Sequence, residues 1–201
     1  MLADLGTHSL ILATIAATLA VALGVYVAHA HRTHPTRLVR ASTRISGLGY
    51  AIPGGVIAIG VMGAILHVEN GLNEACELLF QWSPGFFFSG SILALLFAYQ
   101  TRFLAVSLGV IQAGLTRVSP DMDAVSRTLG KSGFKILTQV HLPILKRTLL
   151  CAFMLVFVDV LKELPATLIL RPFNFETLAV RVYQLASDER LDEASTAALA
   201  I

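Results

Sequence analysis

Hydrophobic residues along this chain fall in long uninterrupted runs rather than in the three-to-four-residue rhythm of a water-facing helix. Ser9 to Ala28 holds no charge at all, and a helix rising about 1.5 Å per residue needs roughly 20 apolar residues to cross a bilayer core. A second uncharged run, Ile45 to Leu66, contains Pro53-Gly54-Gly55. Proline removes a backbone donor, so this span is expected to be kinked and packed among neighbours that cover the freed carbonyl. The third run extends from Gly85 to about Leu115 and is interrupted only by Arg102. The fourth, Ile144 to Val158, carries Lys146-Arg147 near its start, meets Asp159 at its end, and can extend to Leu164 before Pro165. Ala194 to Ile201 reads as the opening of a fifth. The pattern predicts an all-α polytopic transmembrane bundle of four full spans plus the start of a fifth. It forms one domain over residues 1–201, expected to be incomplete at its C-terminus.

Composition supports this and narrows the chemistry. Hydrophobic residues make up 55% of the 201 and charged residues only 14%, against about 25% charged in soluble domains, and mean hydropathy is +0.72. A net charge of +2 gives no footing for nucleic acid. Two cysteines, Cys76 and Cys151, are too few for a disulfide framework or a zinc site, and Cys151, inside the fourth run, is expected to be a small buried packing residue. Without a glycine-rich phosphate loop the chain is expected to bind no ATP itself, and no cofactor is implied. Ala13, Ala16, Ala17 and Ala20 put small residues on one face of the first span, where close helix packing is expected.

Lys and Arg concentrate on the cytoplasmic side of membrane proteins. The first loop holds Arg32, Arg37, Arg40 and Arg44 with no acid, and the loop after the third span holds Arg117, Arg127, Lys131 and Lys135. The connection after the second span carries Glu69, Glu74 and Glu77, and acids outnumber bases from Asp159 onward. The two basic loops therefore belong inside, the acidic ones outside, and the N-terminus outside.

The inner loop, residues 115–143, is too polar for lipid and too regular for a linker. Ser119-Pro120-Asp121 with Asp123 has the marks of a helix start, since Ser caps free amides, Pro suits the first turn and acids favour the positive helix end. Gly130 suits a helix stop, and Ser132 is placed to open a second short helix ended by Pro143. Phe134, Ile136, Leu137 and Val140 lie along it between Lys131, Lys135 and Lys146. A basic, greasy helix-turn-helix of this kind suits a docking knob.

Integral-membrane subunits of ABC importers share a signature, E-A-A-x3-G-x9-I-x-L-P, and this chain resembles it. Ala124-Val125-Ser126, Gly130, and then Val140-His141-Leu142-Pro143 fall in its register, with Ala124 at the usual glutamate position and Asp123 adjacent. Phe157 to Thr167, with Lys162-Glu163-Leu164-Pro165, then Leu170 to Ala179 and Ala186 to Leu191, resemble the region before the last span in permeases of ferric-iron importers. Such permeases are typically two fused halves, and residues 9–201 look like most of the second.

The resemblance implies a permease in the bacterial inner membrane rather than an enzyme. Its implied partners are a cytoplasmic ABC ATPase, a periplasmic iron-binding protein, a second permease half and the lipid bilayer, with Fe(III) as cargo. Thiamine, a phosphonate, sulfate or a polyamine are the alternative cargoes. A channel would not need the helix-turn-helix, and an intramembrane enzyme would need a nucleophile and base that the spans do not supply, so no catalytic residue is assigned. Asp123, Ala124, Val125, Ser126, Gly130, Phe134, Leu137, Val140, Leu142 and Pro143 are the expected ATPase contacts.

Three charged residues are candidates for the translocation path. A helix entering at Phe86 carries Arg102 about 24 Å along, close to the far interface, where its long side chain reaches water. The other reading buries Arg102 facing a polar pathway. Asp159 and Glu163, four residues apart, share one face of a continuing helix, lining the outer mouth or else satisfied by Lys162 and water. His29, His31 and His34 suit a polar interface better than Fe(III), which prefers hard oxygen donors, and no metal site is expected.

Overall fold

The structure, a computed structural model, describes residues 2–199. Every regular element among them is helical: α1 (Leu2–Thr33), α2 (Arg37–Leu48), α3 (Gly54–Phe80), α4 (Ile92–Leu115), α5 (Pro120–Thr128), α6 (Gly133–Ile136), α7 (Leu142–Leu161), α8 (Pro165–Leu170), α9 (Leu178–Ser187) and α10 (Leu191–Ala198). Asp4–Thr33, Gly54–Phe80 and Ile92–Leu115 are long and apolar enough to cross a membrane. The protein is an all-α membrane bundle. The fourth expected span falls within α7, whose 20 residues carry Lys146, Arg147 and Asp159 and which packs into the bundle core with α1 and α4.

Small residues set the spacing of that core. Ala13, Ala16, Ala17 and Ala20 of α1 have no exposed surface and meet Leu95, Ala98, Tyr99 and Phe103 of α4 and Val156 and Val160 of α7 in one cluster. Polar ties run across it. Gln100 donates to the Ala16 carbonyl at 3.0 Å and Ser107 to that of Ala20 at 2.8 Å. Both residue numbers rise together, so α1 and α4 run parallel. The α7 stripe of Leu145, Ala152, Val156 and Val160 meets α4 in the opposite order, with Leu145 near Gly114 and Val160 among the residues around Tyr99.

The second expected span is corrected. It is no kinked helix: α2 stops at Leu48, a 3-10 turn covers Gly49–Ala51, Ile52 is extended, and α3 begins only at Gly54. Crowding by the ring of Pro53 drives the residue before it out of the helical region, and the two glycines that follow hold a helix weakly. α3 then continues to Phe80, where Gln81 turns left-handed at φ 52°. Glu69, Glu74 and Glu77 are thus helical rather than in a loop. Glu69 is buried and accepts the amides of Phe88 and Ser89, the latter at 3.1 Å, which fastens the incoming segment to α3.

The third span also begins later than the hydrophobic run. Ser91 caps α4 by accepting the Ala94 amide, leaving Phe86–Phe88 outside the helix. Cys151 is exposed, on the side of α7 away from its buried stripe, so its expected burial is overturned. The expected fifth span corresponds to α10, an eight-residue helix, and residues 200 and 201 of that expectation lie outside the described residues.

Candidate functional site

Two constellations stand out, one at the α5–α6 end of the bundle and one within it. At the first, Ser119 accepts the Asp121 amide, Pro120 opens α5, and Asp121 and Asp123 occupy its first turn. After Thr128 the chain reverses at Gly130, whose φ is +75°. The Gly130 amide donates to Arg127 at 2.9 Å and that of Lys131 to Ser126 at 3.1 Å. Left-handed geometry is costly for any residue with a β-carbon, so this turn depends on glycine. Pro143 does not stop the second helix. α6 passes through a π-helical turn, Leu137–His141, straight into α7, the wider turn giving room for a ring that would crowd a regular one.

This loop has an inner and an outer face. On the outer, Met122, Val125, Leu129 and Phe134 leave between 46% and 74% of their surface exposed, beside exposed Ala124, Gly130 and Pro143. Leu137, Val140 and Leu142 are half-buried. Met122 and Leu129 escaped the sequence reading, though 122, 125 and 129 form a plain helical stripe. Asp123 and Ser126, expected among the outward contacts, are buried. Ser126 donates to the Met122 carbonyl, while Asp123 is the hub of a tether to α1.

In that tether Arg32, at the end of α1, donates from Nε to Asp123 Oδ2 at 2.7 Å. Its remaining nitrogens reach the carbonyls of Leu115 at 2.8 Å, Val118 at 2.7 Å and Ser119 at 3.3 Å. The other carboxylate oxygen takes a 2.8 Å bond from Nε2 of fully buried His141. An ionised carboxylate only accepts, so His141 carries its hydrogen on Nε2. Its Nδ1 lies 3.3 Å from Nδ1 of His29, which on a neutral His141 ring makes His29 the donor. Burial pushes the Asp123 carboxyl up, and the hydrogen bonds and charge of Arg32 with the bond from His141 outweigh it, holding the group below its ordinary value. His31 faces Thr43 at 3.4 Å.

The second constellation lies where two helices break. Arg102 is ten residues into α4, about 15 Å from its start, so it sits mid-helix rather than at the far interface. It donates to Glu163 Oε1 at 3.1 Å. Glu163 is buried and lies beyond α7, which ends at Leu161. The two acids therefore share no helix face, and Glu163 is satisfied by Arg102 and the Ala166 amide at 3.3 Å, not by Lys162. Asp159 stays on α7, half-buried. The Thr167 hydroxyl bonds to the Glu163 carbonyl and to the Tyr99 hydroxyl, both at 2.6 Å. Beneath the pair, a side chain at Gly54 would collide with Arg102 and Glu163, so the α2–α3 and α7–α8 breaks meet at one ion pair. Among the described residues no cluster of three His, Cys, Asp or Glu side chains suits a metal ion.

Residues 20–200 match the family described as binding-protein-dependent transport system inner membrane component. The chain belongs to this family. The permease is similar to a Fe(3+)-transport system permease protein of Haemophilus influenzae, 28% identical over 156 residues covering 78% of this chain and 28% of that one. It is also similar to a Salmonella typhimurium protein provisionally named as a 2-aminoethylphosphonate transport system permease. There identity is 27% over 193 residues, 96% of this chain and 66% of the other. The permease thus spans less than two thirds of either relative. Both relatives are named as transport permeases, in keeping with the family description.

Proposed function

We propose that the permease forms one half of the translocation unit of an ATP-driven importer in the bacterial inner membrane, and that residues 115–143 are its seat for a cytoplasmic ATPase. The observation that carries this is the two-sided loop: an apolar stripe of Met122, Val125, Leu129 and Phe134 turned outward, with Asp123, Arg32 and His141 locking the inner face to α1 and α7. A push on such a knob reaches two core helices without dissipating in a flexible linker, which is what a two-state bundle needs to switch access. The partners that follow are a periplasmic binding protein on the far side and a second permease half.

The cargo proposed is Fe(III), supported by the segment from Phe157 to Leu191 and by the Haemophilus relative. A phosphonate is the second reading, favoured by the Salmonella relative, which aligns with nearly the whole chain. Reconstituted transporter supplied with radiolabelled Fe(III) or 2-aminoethylphosphonate, each with its own binding protein, separates them by which one stimulates ATP hydrolysis and accumulates.

A photo-crosslinker at Leu129 in the assembled transporter is expected to capture the ATPase; capture of lipid or binding protein alone overturns the docking role. Burying a phenylalanine is worth about 1.5–3 kcal/mol, so Phe134→Ala should weaken ATPase binding roughly ten- to hundredfold in pull-down titrations while the permease still reaches the membrane. Gly130→Val should leave membrane insertion intact and uncouple hydrolysis from uptake, because a β-branched residue cannot hold φ +75°. Unchanged uptake by that variant contradicts the assignment.

A further inference from the structure

Between α4 and α7 runs a groove of about 330 Å³ with a basic mouth and an apolar wall. Arg117, just past the end of α4, and Arg147, in the second turn of α7, form the mouth, and Val110, Ala113 and Cys151 line the wall beside Gly114 and Thr148. Neither arginine side chain makes an ion pair or hydrogen bond with another described residue, and no acid lines the groove. Two like charges thus face one cleft with nothing to offset them. Their depth is also informative. α1 and α4 finish at this level, where Arg32 binds the Leu115 and Val118 carbonyls, while α4 followed back from Leu115 to Val110 runs about 8 Å toward the bilayer interior. Neighbouring Ile144, Leu150, Met154 and Leu155 of α7 are exposed and apolar, as a lipid-facing surface requires.

We propose that this groove binds an anionic phospholipid, its phosphate held between Arg117 and Arg147 and an acyl chain lying along Val110, Ala113 and Cys151. Charge decides the occupant. Basic clefts between membrane helices at the inner surface suit lipid phosphates, and arginine pairs with phosphate through two parallel hydrogen bonds. An apolar helix from a second permease half would fill the wall and strand both cations. The site is separate from the loop's outer face and from the Arg102–Glu163 pair, so it stands independently of the ATPase assignment.

The test uses the assembled transporter in nanodiscs of phosphatidylcholine, with or without phosphatidylglycerol. Native mass spectrometry reads retained lipid, and peptide mapping after N-ethylmaleimide reads alkylation of Cys151. Phosphatidylglycerol is expected to be retained and to slow Cys151 alkylation. R117Q/R147Q should lower retention about thirtyfold, near 1 kcal/mol for each lost cation. R117K/R147K should restore most of it, and R37Q/R44Q, which removes the same charge from exposed positions on α2, should leave lipid retention unchanged. Equal alkylation in both discs overturns the proposal, and so does full protection in phosphatidylcholine alone, which would mean a protein covers the groove. Protection by inorganic phosphate in phosphatidylcholine discs overturns it in favour of a soluble anion.

Discussion

Arg32→Ala is expected to free the α5–α6 loop from the bundle without unfolding the helical core. The substitution removes the cation beside Asp123 and strips a donor from three carbonyls at the end of α4 and the start of α5. With these side chains only 18% and 12% exposed, losing one partner of the pair costs about 3–5 kcal/mol. Amide exchange across residues 119–141 should therefore accelerate a hundredfold or more, while α1 and α4 keep their protection and ATP hydrolysis no longer drives uptake. Unchanged exchange in the loop would show that the tether does not hold it. Asp123→Asn should do less, since the amide keeps the shape and one acceptor but turns a donor toward either Arg32 or His141. Acid tests the same hub. Because the folded Asp123 carboxyl lies below its ordinary 3.8, its contribution is complete above that value and vanishes as pH falls through the lower, folded value. The share of loop protection that Asp123 contributes should accordingly persist down to about pH 4 and be lost below it.

Much of this was legible in the sequence because lipid imposes a simple rule on long apolar runs. The bundle class, the Ser119 cap, the Gly130 reversal and the small-residue face of α1 all follow from local pattern. What escaped depends on tertiary partners. Asp123 has the sequence profile of an exposed first-turn acid, and its inward role follows only once Arg32, 91 residues away, and His141 are brought alongside. His29, weighed as an interfacial residue, proves to be part of that tether. A hydropathy run does not distinguish helix from loop at the helix breaks: Phe86–Phe88 are apolar but precede the Ser91 cap, and the segment before Pro53 leaves the α-helix. That shift of the α4 start moves Arg102 from an interface to the middle of a span.

Breaking the Arg102–Glu163 pair is expected to have the second large effect, in a pattern that separates structure from transport. Glu163→Gln leaves a guanidinium mid-span without its counter-charge, and Arg102→Gln leaves a buried carboxylate with only the Ala166 amide. Each should lower stability by about 3–5 kcal/mol, whereas R102Q/E163Q, with no charge left to desolvate, should return close to the parent. Thermal unfolding in detergent reads this order, and a double variant as unstable as the worse single one would contradict it. Uptake should not recover with stability. We propose that the pair, set where two helix breaks meet at one depth, lines the polar route, since freed backbone groups and fixed charges at membrane depth are tolerated where they face protein or water. A stable double variant is therefore expected to hydrolyse ATP yet carry no cargo. Normal uptake by that variant would confine Arg102 and Glu163 to bracing the α2–α3 and α7–α8 junctions, leaving the route to residues elsewhere on the bundle.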